Sequence, residues 1–364
     1  MQFKPEHNQT GRSQSAPSLL RERRGAIGHI KLNRPEVLNS LTLDMVRDIE
    51  AALDEFERDK AIIAIVISGE GERGLCAGGD LRAFYEAGRL GPDLAKRFWA
   101  EEYRLNARLN RYPKPSIAVM DGIVMGAGAG ISVYCRYRLV TERTRFAMPE
   151  TGIGFFPDVG ASWFLSRQGN EFGTYAALTG KSFGAAETIA LGLADIYVPS
   201  ERLPALVEAL ARLASGATGT NIGAAIQDFA EDAPPTKLDR ERLGSIDRAF
   251  TFDTVEEIFA ALEHDNSPFA AEMLNTLRSR SPFSLKVTLR LLRLGRRSAS
   301  LEDCLEREFA ATAAVLENED FREGIRAAII DKDRNPHWQA ATLGHVGKQE
   351  VDAFFPQPEK RLFA

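Results

Sequence analysis

Glu150 and Asp158 stand eight residues apart in FAMPETGIGFFPDVGAS, Phe146 to Ser162, a stretch otherwise made mostly of apolar residues, glycine and proline. An acid that is only a solvated charge usually keeps polar neighbours, because water has to reach it. Here the flanks are Met148, Pro149, Ile153, Phe155, Phe156 and Val159. Paired carboxylates beside an apolar pocket suit general acid/base work or direct nucleophilic attack, since close like charges in a poorly solvated place push one pKa toward the range useful for proton transfer. The competing reading is a helix cap or a turn residue in a glycine-rich loop.

Two further stretches could act on the same substrate. CAGGD (Cys76 to Asp80) and MGAGAG (Met125 to Gly130) are glycine loops, each following a strand and opening a helix. Without a Cβ, such loops let backbone N–H groups approach a ligand, and two of them can aim one N–H apiece at a single oxygen to form an oxyanion hole. Taken singly, each is equally a tight turn or a close-packing position between helix and sheet. GAGAG is faintly like the dinucleotide pattern GxGxxG, but its spacing is wrong and the acid wanted about 20 residues on is not at a strand end. Asp80 reads as a cap for the helix that follows rather than as a catalyst.

The elements that must position these groups are legible from period and punctuation. AIGHIKL (Ala26 to Leu32) reads as a strand, LTLDMVRDIEAALDEFERD as a helix capped by Thr42, and AIIAIVIS (Ala61 to Ser68) as a strand covered on both faces. Helices are expected near Leu81 to Ala87 and from about Asp93 to Arg111. A third buried strand follows in KPSIAVM, two short strands in RYRLVTERTRFAMPE, and a last strand in DIYVP, Asp195 to Pro199. Strand, glycine loop and helix recurring twice make this half α/β, because parallel strands need helical crossovers. Beyond Glu201 the pattern is amphipathic helices; one opens at Ser281-Pro282 and closes at Gly295. The organisation read from this is a flexible tail over residues 1–24, an α/β core carrying the site over 25–200, and a helical C-terminal region over 201–364.

Composition narrows the class. The chain has 364 residues, 44% of them apolar, which is enough for a sizeable core, and its formal net charge of -5 is interspersed, so no basic stripe marks a nucleic-acid partner. RERRG, Arg21 to Gly25, is the densest basic cluster and reads as a solvated approach to the first strand. Cys76, Cys135 and Cys304 form no CxxC pair and read as buried packing thiols; the five histidines show no zinc spacing, so no metal is expected. There is no GxSxG elbow, no phosphate loop and no run of membrane-span length. A polar first segment without a signal-peptide core makes a cytoplasmic protein the simplest expectation, or a mitochondrial-matrix one for a eukaryotic source.

In their order and spacing, GLCAGGDL, DGIVMGAGAGISV and FAMPETGIGFFPDVG resemble the crotonase, or enoyl-CoA hydratase/isomerase, superfamily, and the last motif looks most like its 3-hydroxyisobutyryl-CoA hydrolase branch. The resemblance runs from about Gly25 to FREGIRAAIIDKDRNPHW, Phe321 to Trp338. It implies a crotonase-like fold, a repeated ββα spiral core, and a CoA thioester whose carbonyl sits in an oxyanion hole made by the N–H groups of Gly79 and Ala127. Ala127 departs from the usual glycine; its N–H serves if its φ stays below zero. Hydratases of the superfamily commonly use two glutamates. Here Gly130 stands at the first position, which cannot transfer a proton, while Glu150 stands at the second and Asp158 at a place where hydratases commonly have glycine.

The Glu and Asp pair is the hydrolase pattern, and EEY makes Glu102 a substrate-binding residue by the same likeness. Glu150 would activate water or attack the carbonyl directly to give a mixed anhydride; Asp158 would position the 3-hydroxyl of the substrate or the water. The reaction so implied is hydrolysis of a short-chain 3-hydroxyacyl-CoA, foremost 3-hydroxyisobutyryl-CoA, a step of valine degradation. No cofactor is expected beyond the CoA carried by the substrate, and no nucleic-acid or membrane partner. A homo-oligomer stays open, since the superfamily often forms trimers or hexamers. Two other functions remain in view: an enoyl-CoA hydratase or isomerase with an unusual acid pair, and a non-catalytic acyl-CoA-binding protein.

Overall fold

The computed structural model describes residues 16–88, 91–356 and 361–363. β1 (Leu19–Arg24) and β2 (Ile27–Leu32) pair antiparallel, and Gly25 turns between them at φ +55°, where a Cβ would stand 2.1 Å from the Ala211 carbonyl oxygen. α1 (Leu43–Arg58) starts at the expected cap, with the Thr42 hydroxyl accepting from the Met45 amide, and buries Met45, Val46, Ile49, Leu53 and Phe56 along one face. Three strand pairs follow. β3 (Ala64–Gly69) runs into β4 (Gly74–Cys76), and α2 (Leu81–Glu86) and α3 (Gly91–Asn110) come next. β5 (Ser116–Met120) then runs into β6 (Ile123–Met125), followed by the short α4 (Ala127–Gly130). Last, β7 (Tyr137–Val140) runs into β8 (Arg145–Ala147).

After α5 (Ala161–Phe164), α6 (Phe172–Thr179) and α7 (Ala185–Ala190), β9 (Ile196–Tyr197) closes the series. The first strand of each pair joins a six-stranded sheet ordered β1-β2-β3-β5-β7-β9, and the second joins a three-stranded sheet ordered β4-β6-β8. Apart from β1 with β2, these strands pair with one another in parallel. Each ββα unit thus advances one strand in both sheets, which is the spiral core the motifs implied.

Alternation decides what each sheet face meets. Ile27, Ala64, Val66, Ile117, Val119 and Leu139 point to one side and pack under α8 (Leu203–Ala211) and α9 (Gly219–Gln227). Ile30, Leu32, Ile65, Ile67, Ala118, Met120 and Val140 point to the other side, into the main core. Both faces are covered, so the strands read as continuous apolar runs.

One expected boundary is corrected. Residues 19–24 are not tail but the edge strand β1, whose outward polar side chains pair with neighbours, Arg23 with Asp59 and Arg24 with Glu208. An edge strand with charged residues looks like a solvated approach because Arg21, Glu22 and Arg23 are exposed; residues 1–15 lie outside the described residues.

The region 201–364 is helical, and its helices divide between two places. α8 and α9 cover the outer sheet face. The remainder share the main core with the site: α10 (Arg240–Phe250), α11 (Val255–Asp265), α12 (Pro268–Arg278), α13 (Pro282–Gly295), α14 (Leu301–Glu317), α15 (Glu319–Ile325) and α16 (Lys348–Asp352). Ser281 caps α13 as expected, but Gly295 does not end it by a left-handed turn. A Cβ there would lie 1.8 Å from the Ser162 carbonyl oxygen, so the glycine lets α13 press against α5.

Candidate active site

The second strand of each spiral turn ends at one place. There a cavity of about 160 Å³ is lined by Gly78 and Gly79 after β4, Gly126 and Ala127 after β6, Glu102 of α3, and Glu150 and Asp158 beyond β8, with Phe84, Trp99, Phe155 and Phe321 as aromatic walls. All five residues singled out in the sequence therefore meet in one cavity. Gly126 takes φ +50° and ψ -118°, a conformation suited to glycine, and a Cβ there would come within 3.1 Å of Glu150 Oε1. Ala127 is not among the residues of positive φ; it opens α4 in helical geometry, and among the described residues neither its amide nor that of Gly79 has a backbone partner. Asp80 caps α2 by accepting from the Ala83 amide and pairs with Arg34 at 2.9 Å, so it is structural as expected.

Glu150 begins a 3₁₀ turn, Glu150–Ile153, behind Pro149; its carboxyl is buried and Oε2 has no hydrogen-bond partner. α15 fixes this turn from behind, because Gly154 and Gly324 let the two backbones touch: a Cβ on Gly154 would meet Asp320, and one on Gly324 would meet Ile153. Asp158 is equally buried, and its Oδ2 accepts from the Tyr103 hydroxyl at 2.8 Å. Glu102, one helical position before Tyr103, is 1% exposed with Oε1 unpartnered.

Burial pushes all three carboxyls up, and it outweighs the mutual repulsion that the sequence alone suggested as the cause. Asp158 is raised to about 7, the Tyr103 hydrogen bond working against the rise. Glu150 lies well above the carboxylate range through burial and then the charge of Asp158; Glu102 does so through burial, then Asp158, then Glu150. Three acids raised above the ordinary carboxylate range thus share one cavity, an arrangement suited to proton transfer.

Gly130 is packed shut. A Cβ there would lie 2.8 Å from Asn106 Nδ2 and 2.9 Å from Val159 Cβ, so the position where a hydratase carries its first glutamate has no room for a side chain. Asn106 fills that place from α3, fully buried with neither amide atom partnered.

Sequence reasoning missed Tyr103, Asn106 and Glu308. Their signal was a polar side chain on a buried helical stripe: Trp99, Glu102, Tyr103 and Asn106 share one face of α3, and Glu308 interrupts the series Leu301, Leu305, Ala311, Val315 on α14.

The chain belongs to the enoyl-CoA hydratase/isomerase family, whose sequence pattern matches residues 27–355. Its likeness is more particular than that. The "3-hydroxyisobutyryl-CoA hydrolase, mitochondrial" of Danio rerio is 40% identical over 359 residues, covering 98% of this chain and 94% of the relative. The protein of that name from Homo sapiens is 39% identical over 348 residues, covering 94% and 89%. Among solved structures, a carnitinyl-CoA dehydratase from Mycobacterium thermoresistibile superposes with a TM-score of 0.89 at 41% identity, covering 95% of this chain and 98% of the other. An enoyl-CoA hydratase from Rhodobacter sphaeroides 2.4.1 gives 0.85 at 38% identity, covering 93% and 97%. The resemblance read from the motifs thus extends over nearly the whole chain.

Proposed function

We propose that this chain is a thioester hydrolase that converts 3-hydroxyisobutyryl-CoA and water to 3-hydroxyisobutyrate and CoA, and so serves valine degradation. The observation that carries the reading is the pair Glu150 and Asp158 in one cavity while Gly130 is packed shut. The hydrolases named above, at about 40% identity over most of the chain, support it.

The thioester carbonyl oxygen accepts from the N–H groups of Gly79 and Ala127. Each such donor is worth roughly 3 to 4 kcal/mol once the oxygen carries charge. Glu150 delivers the nucleophile. By one route it takes a proton from water as the water oxygen bonds to the carbonyl carbon; by the other its own oxygen bonds first, the CoA thiolate leaves, and water then opens the mixed anhydride. Both begin from ionised Glu150 and both leave a thiolate to be protonated. Asp158, with one oxygen on Tyr103, uses the other to accept from the 3-hydroxyl, and Glu102 closes the far side of the acyl pocket. CoA arrives with the substrate, so the chain itself needs no cofactor. No described helix is long and apolar enough to cross a membrane; we read the protein as one of the cytoplasm, or of the mitochondrial matrix for a eukaryotic source.

Hydratase chemistry is the alternative raised by the names of the two structural neighbours. The packing at Gly130 disfavours it, since the first of the two usual glutamates has nowhere to stand. Thiol release from 3-hydroxyisobutyryl-CoA decides between them: rapid release supports the hydrolase, whereas release no faster than in buffer, with loss of enoyl absorbance on crotonyl-CoA, overturns it.

A further inference from the structure

The turn that carries Asp158 is held by several hydrogen bonds. The Asp158 carbonyl accepts from the Ala161 amide at 2.8 Å, and the Val159 carbonyl accepts from the Tyr134 hydroxyl at 2.7 Å. Val159 sits at φ +53° and Gly160 at φ +83°. A β-branched residue in the left-handed region is strained, and such a conformation persists only where its surroundings impose it. The imposing group comes from α14, about 150 residues along the chain: Glu308, 0% exposed. Its Oε2 accepts from the Gly160 amide at 2.7 Å, and its Oε1 accepts from the Ser162 amide at 2.9 Å and the Ser162 hydroxyl at 2.5 Å. Three donors converge on one buried carboxylate, and none of them is a charged partner. A salt bridge or a surface cap would have anchored α14 with less desolvation, so this acid is placed for what it grips.

We propose that Glu308 is a positioning residue for Asp158: it fixes the left-handed Val159–Gly160 turn and so sets where the Asp158 carboxylate meets the 3-hydroxyl of the substrate. This rests on the function proposed above, in which Asp158 receives that hydroxyl. Glu308 itself faces the turn's backbone and not the cavity, so it acts through Asp158.

Glu308→Gln keeps the size but turns an NH₂ toward one of the two amides, so a donor faces a donor and the turn loses its grip. The readout is the preference for the hydroxylated ester, measured as kcat/KM on 3-hydroxyisobutyryl-CoA over kcat/KM on isobutyryl-CoA, which lacks the hydroxyl. A loss of general stability lowers both esters alike and leaves this ratio unmoved. The expected result is a fall in the ratio by at least about 10-fold, largely in the hydroxylated ester, matching the direction of Asp158→Asn. The double variant should lose little beyond Asp158→Asn alone, because both changes act on one contact.

If Glu308→Gln does not fold, Ser162→Ala and Tyr134→Phe loosen the same turn with smaller packing changes, and each should lower the ratio about 2- to 5-fold. A ratio equal to wild type in the soluble variants, or losses that multiply in the double variant, overturns the proposal and makes Glu308 an anchor of α14 only. A wild type that hydrolyses the ester but has no hydroxyl preference overturns instead the role given to Asp158, and one without thiol release overturns the hydrolase reading itself.

Discussion

The Tyr103 hydroxyl donates to Asp158 Oδ2 across 2.8 Å, joining α3 to the loop beyond β8 that lines the cavity. That bond favours the charged form of Asp158 against the pull of burial. It also leaves the second oxygen free for a substrate.

Tyr103→Phe removes the donor with little change of shape. Asp158 should then hold its proton to higher pH, and the acid limb of kcat/KM should move upward by about half a unit or more, with a rate at pH 7 lower by about 2-fold or more. A pH profile of thiol release measures both.

Glu150→Gln and Asp158→Asn should each cut thiol release on the order of a hundredfold or more. Repeated turnover of the wild type in ¹⁸O-water tests the anhydride route for Glu150. Label appearing in the Glu150 peptide by mass spectrometry marks an anhydride that water opens at the Glu150 carbonyl; an unlabelled peptide is the outcome of water activation or of opening at the substrate carbonyl.

Stability should respond to pH in the sense set by raised acid pKa values. Asp158 titrates near 4 unfolded and about 7 folded, so the folded state binds the proton more tightly. Its favourable contribution is complete below about pH 4 and is lost as pH rises through 7. Asp158→Asn, neutral throughout, should match the wild type in thermal melts near pH 4 and exceed it at pH 8, by about 2–5 °C. The same change removes a like charge from Glu150, so the residual rate should show an acid limb displaced to lower pH.

Gly130→Glu restores the acid that a hydratase would have, but its Cβ meets Asn106 and Val159 below 3.0 Å. Crowding of this kind costs about 1–3 kcal/mol, so the expected outcome is a lower melting temperature and no gain of water addition to crotonyl-CoA. Appearance of hydratase activity would show that the packing at Gly130 does not exclude the reaction.

Much of the site was legible in residues 76–80, 125–130 and 146–162 because the chemistry there is local. Glycines mark where the backbone takes positive φ or lets another chain segment close in, as at Gly126 beside Glu150, and apolar flanks around Glu150 and Asp158 announce burial. Caps at Thr42 and Ser281 and the doubly buried runs of β3 and β5 are local in the same way. β1 was not legible, since an edge strand with exposed arginines has the composition of a tail.

Tertiary structure alone decided how the acids are held. Tyr103 lies 55 residues from Asp158, and Glu308 lies 148 from Gly160. What the sequence determined was a buried stripe on each helix broken by polar residues, Glu102, Tyr103 and Asn106 on α3 and Glu308 on α14; which backbone turn or carboxylate they would meet depended on how α3 and α14 pack against the spiral core. A hydrogen bond between such distant segments follows from packing, because the local period of a helix says that a side chain faces inward and nothing about what waits there.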